Sequence, residues 1–151
     1  KVSKPVQSWK YGLSAVIALM HDLIITMGVF SLISYFYGVE VNIPFIVALL
    51  TVLGYSVNDT IVVFDRIREN LIRRGTDNFE ETVNVGVTQS LTRSINTSLT
   101  VLLVLIALFL FGGEAIHYFT LTLIVGITIG TYSSIFLASP FLVIMEKRAR
   151  K

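Results

Sequence analysis

The sequence predicts an all-α fold, a polytopic transmembrane bundle of four spans with both termini cytoplasmic. Three observations predict it. Composition is the first: 54% of the 151 residues are hydrophobic and only 15% charged, against about 45–50% and about 25% in soluble domains. The mean hydropathy is +0.75. The second is that four stretches reach the ~20 apolar residues that a ~30 Å hydrocarbon core requires. The third is charge placement. All the Lys and Arg residues except Arg93 fall in the N-terminal segment, one middle loop and the C-terminal tail. This pattern excludes an ordinary soluble enzyme, a disordered tail and a nucleic-acid-binding module. Without cysteine there is no disulfide, thiolate zinc site or cysteine nucleophile. His21 and His117 lie too far apart in sequence for a local metal motif.

The whole chain, 1–151, reads as one transmembrane domain. Its first span runs over about 11–36 and is interrupted by His21 and Asp22; the second covers about 43–64, with Asn58 and Asp59 near its end. A third, about 91–111, carries Arg93 and Asn96 in its opening turns, and the fourth, about 116–145, is long enough to tilt or project beyond the bilayer. Lys1, Lys4 and Lys10 precede the first span. Arg66, Arg68, Arg73 and Arg74 follow the second, and Lys147, Arg148, Arg150 and Lys151 close the chain. The short turns at Gly38-Val39-Glu40 and Gly112-Gly113-Glu114 hold no Lys or Arg. The positive-inside rule then places both termini and the middle loop, about 66–90, in the cytoplasm. No signal-peptide cleavage pattern precedes the first span.

That loop has its own order. The second helix is expected to continue through Arg66–Arg74 and stop at Gly75. Asp77 with Glu80 three residues on fits a capping box. Phe79, Val83, Val87 and Leu91 share one helical face, so the segment is expected to lie along the membrane surface before the third span. A solvated linker helix with one packed face and a docking helix for a cytoplasmic partner both fit that pattern.

An ionisable side chain within a membrane helix costs a few kcal/mol or more and by default marks a functional site. Asp59 stands seven residues before Arg66, hence ~10 Å from the cytoplasmic end of its helix at ~1.5 Å per residue. Arg93 enters from the same side on the next span. A carboxylate and a guanidinium at similar depth are expected to pair, since either alone costs far more. Two readings follow: a static ion pair locking two helices, or a relay in which the charge state of Asp59 holds and releases Arg93. Ser56, Asn58, Thr60, Asn96 and Thr97 are positioned to hydrate or hydrogen-bond such a path, although Ser and Thr in helices often bond their own backbone. His21 and Asp22 form a second polar point nearer mid-membrane. Their side chains leave the helix about 100° apart, and they read equally as relay supports or as a satisfied structural pair. Asp65, beside Arg66, reads as an interfacial cap or salt-bridge partner.

Gly126, Gly130, Ser134 and Ala138 recur every four residues and give the last span a face of small side chains suited to close helix packing. His117 reads as an interfacial residue. The chain holds no GxSxG, HExxH or P-loop motif. It therefore reads as a non-enzyme without metal or cofactor, whose energy must come from a membrane gradient or another subunit.

The string Gly54-Tyr55-Ser56-Val57-Asn58-Asp59-Thr60-Ile61-Val62-Val63-Phe64-Asp65-Arg66-Ile67-Arg68-Glu69-Asn70 closely resembles the signature of the SecF family, which belongs to the resistance-nodulation-division superfamily. Ala18-Leu19-Met20-His21-Asp22, Leu91-Thr92-Arg93-Ser94 and Phe111-Gly112-Gly113 follow in the order that family shows. The resemblance implies the last four of six spans, within a twelve-span unit completed by SecD. It ties Asp59 and Arg93 to ion conduction; the chain then reads as using these two as a proton or sodium relay, with Asn58, Asp22 and His21 in a supporting rank. It also implies that ion flow promotes preprotein export across the bacterial cytoplasmic membrane after SecA-driven translocation. The implied partners are SecD and the SecYEG channel, with YajC and YidC as further candidates. The preprotein would be engaged by an extracytoplasmic domain outside this sequence. A lipid or drug exporter of the same superfamily, and a non-conducting helical scaffold, are the rival readings.

Overall fold

A computed structural model of the chain describes residues 7–74 and 78–150. Lys1, Lys4, Gly75, Asp77 and Lys151, which entered the charge and capping arguments above, lie outside the described residues. Helices α1 (Ser8–Tyr37), α2 (Ile43–Arg74), α3 (Phe79–Phe111) and α4 (Glu114–Ser133) follow one another in antiparallel fashion. A π-helical segment, Ser134–Ala138, then joins α4 to α5 (Ser139–Arg150) without a break. Counting the last three elements as one rod, four helices are long and apolar enough to cross a membrane.

The two Gly turns close one end. Gly38 adopts φ +66°, a left-handed conformation open to glycine at little cost. Its N–H caps α1 by donating to the Ser34 carbonyl at 2.9 Å. Asn42 Oδ1 accepts from the Phe45 N–H at 3.1 Å and so satisfies an orphan donor at the start of α2. Phe30 stacks on Phe45 across this turn, with ring centroids 3.8 Å apart.

At the opposite, basic end, α2 extends through Arg74, well past its apolar part. The helix after the connection departs from expectation. Its cap position is Asn78, whose side chain meets Glu81 Oε2 at 3.1 Å, and 79–111 is one unbroken helix rather than a surface segment followed by a span. The cause is packing. A Cβ on Gly86 would stand 2.9 Å from the Ile67 Cα, so α3 lies directly against α2 there. Phe79 and Val83 are thereby carried into an apolar cluster with Val63, Phe64, Ile67, Leu71 and Leu142. Burying that face against α2 and α5 removes it from water without recourse to the bilayer.

The last rod is central. Half of its apolar window is buried, against 17–28% in the other three spans, and α4 packs against α1, α2 and α3. Glycines make this possible: a Cβ on Gly126 would fall 2.3 Å from Val52 Cγ2, and one on Gly130 would meet the Ser56 Cβ at 3.0 Å. The π segment precedes Pro140. Proline has no N–H to donate and its ring crowds the carbonyl four residues back, so the helix widens rather than continuing in α geometry. Most of the large apolar side chains on the outer faces are exposed, among them Ile24, Leu50, Leu103 and Phe136, as befits helices that face lipid or further helices.

Inside, the bundle is layered. One apolar cluster at the basic end contains Ala18, Val63, Ile67 and Leu142. A second, toward the Gly turns, contains Ala48, Val52, Leu105, Leu123 and Ile127. Between the two lies a level of hydroxyls and two carboxyls.

Candidate functional site: two carboxyls in a hydroxyl layer

The polar level arises from a four-residue repeat on each helix. Residues four apart share a helical face, and the inward faces read Ser14, Ala18, Asp22, Thr26 on α1, Val52, Ser56, Thr60 on α2 and Ser90, Ser94, Ser98 on α3. In each case small or hydroxyl side chains point into the bundle while large apolar ones point out.

Asp59, partly buried on α2, accepts hydrogen bonds from two other helical elements. Ser94 Oγ on α3 donates to Oδ1 at 2.7 Å, and Ser134 Oγ, the first residue of the π segment, donates to Oδ2. The carboxyl therefore sits where three helices meet, and each of its oxygens ties α2 to a different neighbour.

Arg93 does not pair with it, contrary to the expectation from depth. Because Ser94 faces α2, the preceding residue leaves the helix about 100° away, and Arg93 is exposed. It lines a cleft of about 450 Å³ along the α2–α3 seam together with Asp65, Arg66, Glu69, Gln89 and Ser90. Glu69 in the same cleft is bound by Arg66 at 2.5 Å and Arg73 at 2.7 Å. The cleft thus runs from the charged end of α2 to the residue next to Ser94.

Asp22 is the more deeply held carboxyl, at 0% exposure. Its Oδ2 accepts from Ser56 Oγ at 2.5 Å and from Ser133 Oγ at 2.8 Å. His21, on the outer side of α1, folds back so that Nδ1 lies 3.1 Å from Oδ1. Asp22 thus faces the bundle, and its neighbour reaches the same carboxyl from outside.

The remaining candidates separate. Ser56 is in the layer. Thr60 is fully buried beside Asp59, and its Oγ1 has no hydrogen bond. Asn58, Asn96 and Thr97 are exposed, and Thr97 Oγ1 bonds the Arg93 carbonyl at 2.8 Å, the backbone alternative open to any helical Thr. Of the small-residue face, Gly126 and Gly130 contact α2, Ala138 joins the apolar cluster, and Ser134 is a carboxyl donor as well as a packing residue.

Sequence reasoning missed Ser94 and Ser133 as donors. It also missed a network in which Ser98 Oγ contacts Tyr55 Oη at 3.0 Å and Thr131 Oγ1 at 2.5 Å. The usable signal was the Ser90-Ser94-Ser98 repeat and the adjacent Ser133-Ser134, which had the right spacing but no charge to draw notice. Glu146 was missed too. Lys10 Nζ meets its Oε2 at 2.7 Å, with both side chains under 10% exposed, and Glu80 pairs with Lys147 nearby. His117 stacks on Phe109 at 4.1 Å near the outer turn.

Comparison with known proteins agrees with this architecture. Residues 6–148 match the family model described as protein export membrane protein SecD/SecF, C-terminal. The protein translocase subunit SecF of Thermobaculum terrenum is 51% identical over 148 residues, covering 98% of this chain and 46% of that protein. The SecF subunit of Rhodothermus marinus is 53% identical over 144 residues, covering 94% and 46%. A crystal structure of SecDF in the super-membrane-facing form superposes with a TM-score of 0.87 at 44% identity, over 94% of this chain and 19% of that one. The chain spans less than half the length of the curated SecF relatives it matches. It belongs to the SecD/SecF family of protein-export membrane proteins.

Proposed function

We propose that this chain is the membrane engine of a SecF-type subunit, which uses a proton or sodium gradient to promote preprotein export through the Sec translocase. SecD is its companion half and the SecYEG channel the site of action, with YajC and YidC as further partners. The membrane is the bacterial cytoplasmic membrane, with both termini and the α2–α3 connection on the cytoplasmic side. The transported ion is its only small-molecule partner. The reading involves no catalysed bond change.

The observation that carries this reading is the placement of Asp59. One carboxyl takes a hydroxyl from α3 and another from the π segment, so gaining or losing charge there changes what holds three helices together. A proton or sodium ion arriving at Asp59 competes with the two serine hydroxyls for the same carboxyl oxygens. Arg93, beside Ser94 in the α2–α3 cleft, supplies the counter-charge when the helices shift, and the cleft gives water a route from the cytoplasm. Asp22, His21, Ser56 and Thr60 support the relay within the layer, whereas Asn58, Asn96 and Thr97 act from its outer face.

The test is gradient-dependent preprotein export by the full-length protein together with SecD. Asp59→Asn is expected to abolish the gradient-stimulated step while abundance and SecD association stay normal. Undiminished export would sink the relay and leave Asp59 as a helix-stapling group.

A further inference from the structure

The cleft along the α2–α3 seam changes character along its length. Ile61 and Val62 line its deep end, and Asp65 and Glu69 follow at helical spacing toward the basic end, with Gln89 and Arg93 across the seam on α3. Its volume of about 450 Å³ falls among small-ligand sites, at ~300–1,000 Å³. A cleft that begins among apolar side chains at membrane depth and ends among charged ones follows the profile of a lipid from acyl chain to headgroup. Polar pockets between membrane helices at the interface are where headgroups are held.

The charges in this cleft are only partly paired. Arg66 and Arg73 both hold Glu69. Asp65 and Arg93 are exposed, and neither side chain has an ion pair or hydrogen bond among the described residues. Two contacts set their relative depth. Gly86 lies against Ile67 and Ser94 bonds Asp59, so in this antiparallel pair Arg93 is level with Thr60. Asp65 is five residues nearer the basic end, or ~7 Å at ~1.5 Å per residue. Helical side chains lean toward the N-terminus of their own helix, so Arg93 reaches along the cleft toward Asp65. An unpaired cation thus stands deep and an unpaired anion shallow on the two walls of one cleft.

We propose that the cleft binds the headgroup of a phospholipid that carries a primary ammonium, such as phosphatidylethanolamine. Its phosphate lies on Arg93, whose guanidinium fork suits phosphate oxygens. Gln89 stands beside it with its Oε1 occupied by Asn70 Nδ2 at 2.9 Å and its own N–H donors unused. The ammonium, farther from the membrane centre, donates to the Asp65 carboxylate, and the acyl chains pass over Ile61 and Val62. Two features select this headgroup. Choline has no N–H for Asp65 and is usually held by aromatic faces, none of which lines the cleft among the described residues. A glycerol headgroup carries no cation and leaves Asp65 without a counter-charge. A phosphate on Arg93 also keeps the guanidinium on the cleft side of α3, away from Asp59.

The experiment is native mass spectrometry of the full-length protein with SecD, equilibrated in mixed micelles of equal phosphatidylethanolamine, phosphatidylcholine and phosphatidylglycerol. The protein should retain the ethanolamine lipid over the other two. Asp65→Asn should lower that retention about tenfold, because a hydrogen bond between charged groups is lost, and should leave the glycerol lipid undiminished. Arg93→Gln should lower retention of all three, since each carries the phosphate. Both substitutions are at exposed positions, so the fold should persist. Equal retention of the three lipids, or an ethanolamine preference that survives Asp65→Asn, would overturn the proposal. Binding of soluble O-phosphoethanolamine as tight as that of the lipid would assign the cleft to a free phosphate ester and overturn the lipid assignment.

Discussion

Ser94 on α3 donates to Asp59 on α2 at 2.7 Å, and this bond decides where Arg93 can be. The serine takes the inward position at that level, and the arginine one residue earlier is turned onto the open cleft. Asp59 is thus solvated by hydroxyls in this arrangement, and no cation among the described residues pairs with it.

Ser94→Ala should weaken the α2–α3 contact at that level. A hydrogen bond is worth about 0.5–1.5 kcal/mol between neutral groups and about 1.5–3 kcal/mol to a charged one, so thermal unfolding in detergent should show a loss of about 0.5–3 kcal/mol.

Arg93→Gln should separate function from stability. The side chain is exposed and makes no ion pair with Asp59, so unfolding should change by no more than about 0.5 kcal/mol. Gradient-stimulated export should nevertheless fall at least tenfold, because the relay needs the counter-charge. A large drop in stability with export unimpaired would return Arg93 to a structural role.

Lys10 and Glu146 form a buried pair between α1 and α5. Removing the carboxylate leaves the Lys10 ammonium buried without its Glu146 partner, so Glu146→Gln should cost about 3–5 kcal/mol, while Lys10→Met combined with Glu146→Leu should recover most of it. A double-mutant cycle on thermal unfolding checks this, and strictly additive losses would contradict it.

Gly126→Val should separate α4 from α2. The first added carbon already falls 2.3 Å from a Val52 methyl. Overpacking of this kind costs about 1–3 kcal/mol. Gly126→Val combined with Val52→Ala should restore much of the loss, measured by the same unfolding assay.

The fold was legible because membrane insertion leaves simple marks: long apolar runs, basic residues at one end and glycine at the outer turns. The layer at Asp59 was half legible. Charge singled out Asp59, Asp22 and Arg93, but the partner of a buried carboxyl depends on which way each helix is rotated about its axis. The rotation of α3 follows from Gly86 against Ile67 and from the Ser90-Ser94-Ser98 face, features that look bland beside an arginine. The continuity of α3 was hidden for a related reason. The face of Phe79 and Val83 fits a membrane surface and a neighbouring helix equally well, and only the reach of α2 through Arg74 decides between them.

The π segment has a consequence for the phase of everything beyond it. Each residue inserted into or deleted from a helix turns the remainder by about 100°. Shortening 134–138 by one residue would keep Ser133 in place while swinging Leu142 and Glu146 off their present face, leaving Lys10 buried without its partner. The length of the last helix is therefore tuned to a single residue, and natural variation in this stretch should proceed by substitution, with insertions and deletions confined to the tail beyond Glu146.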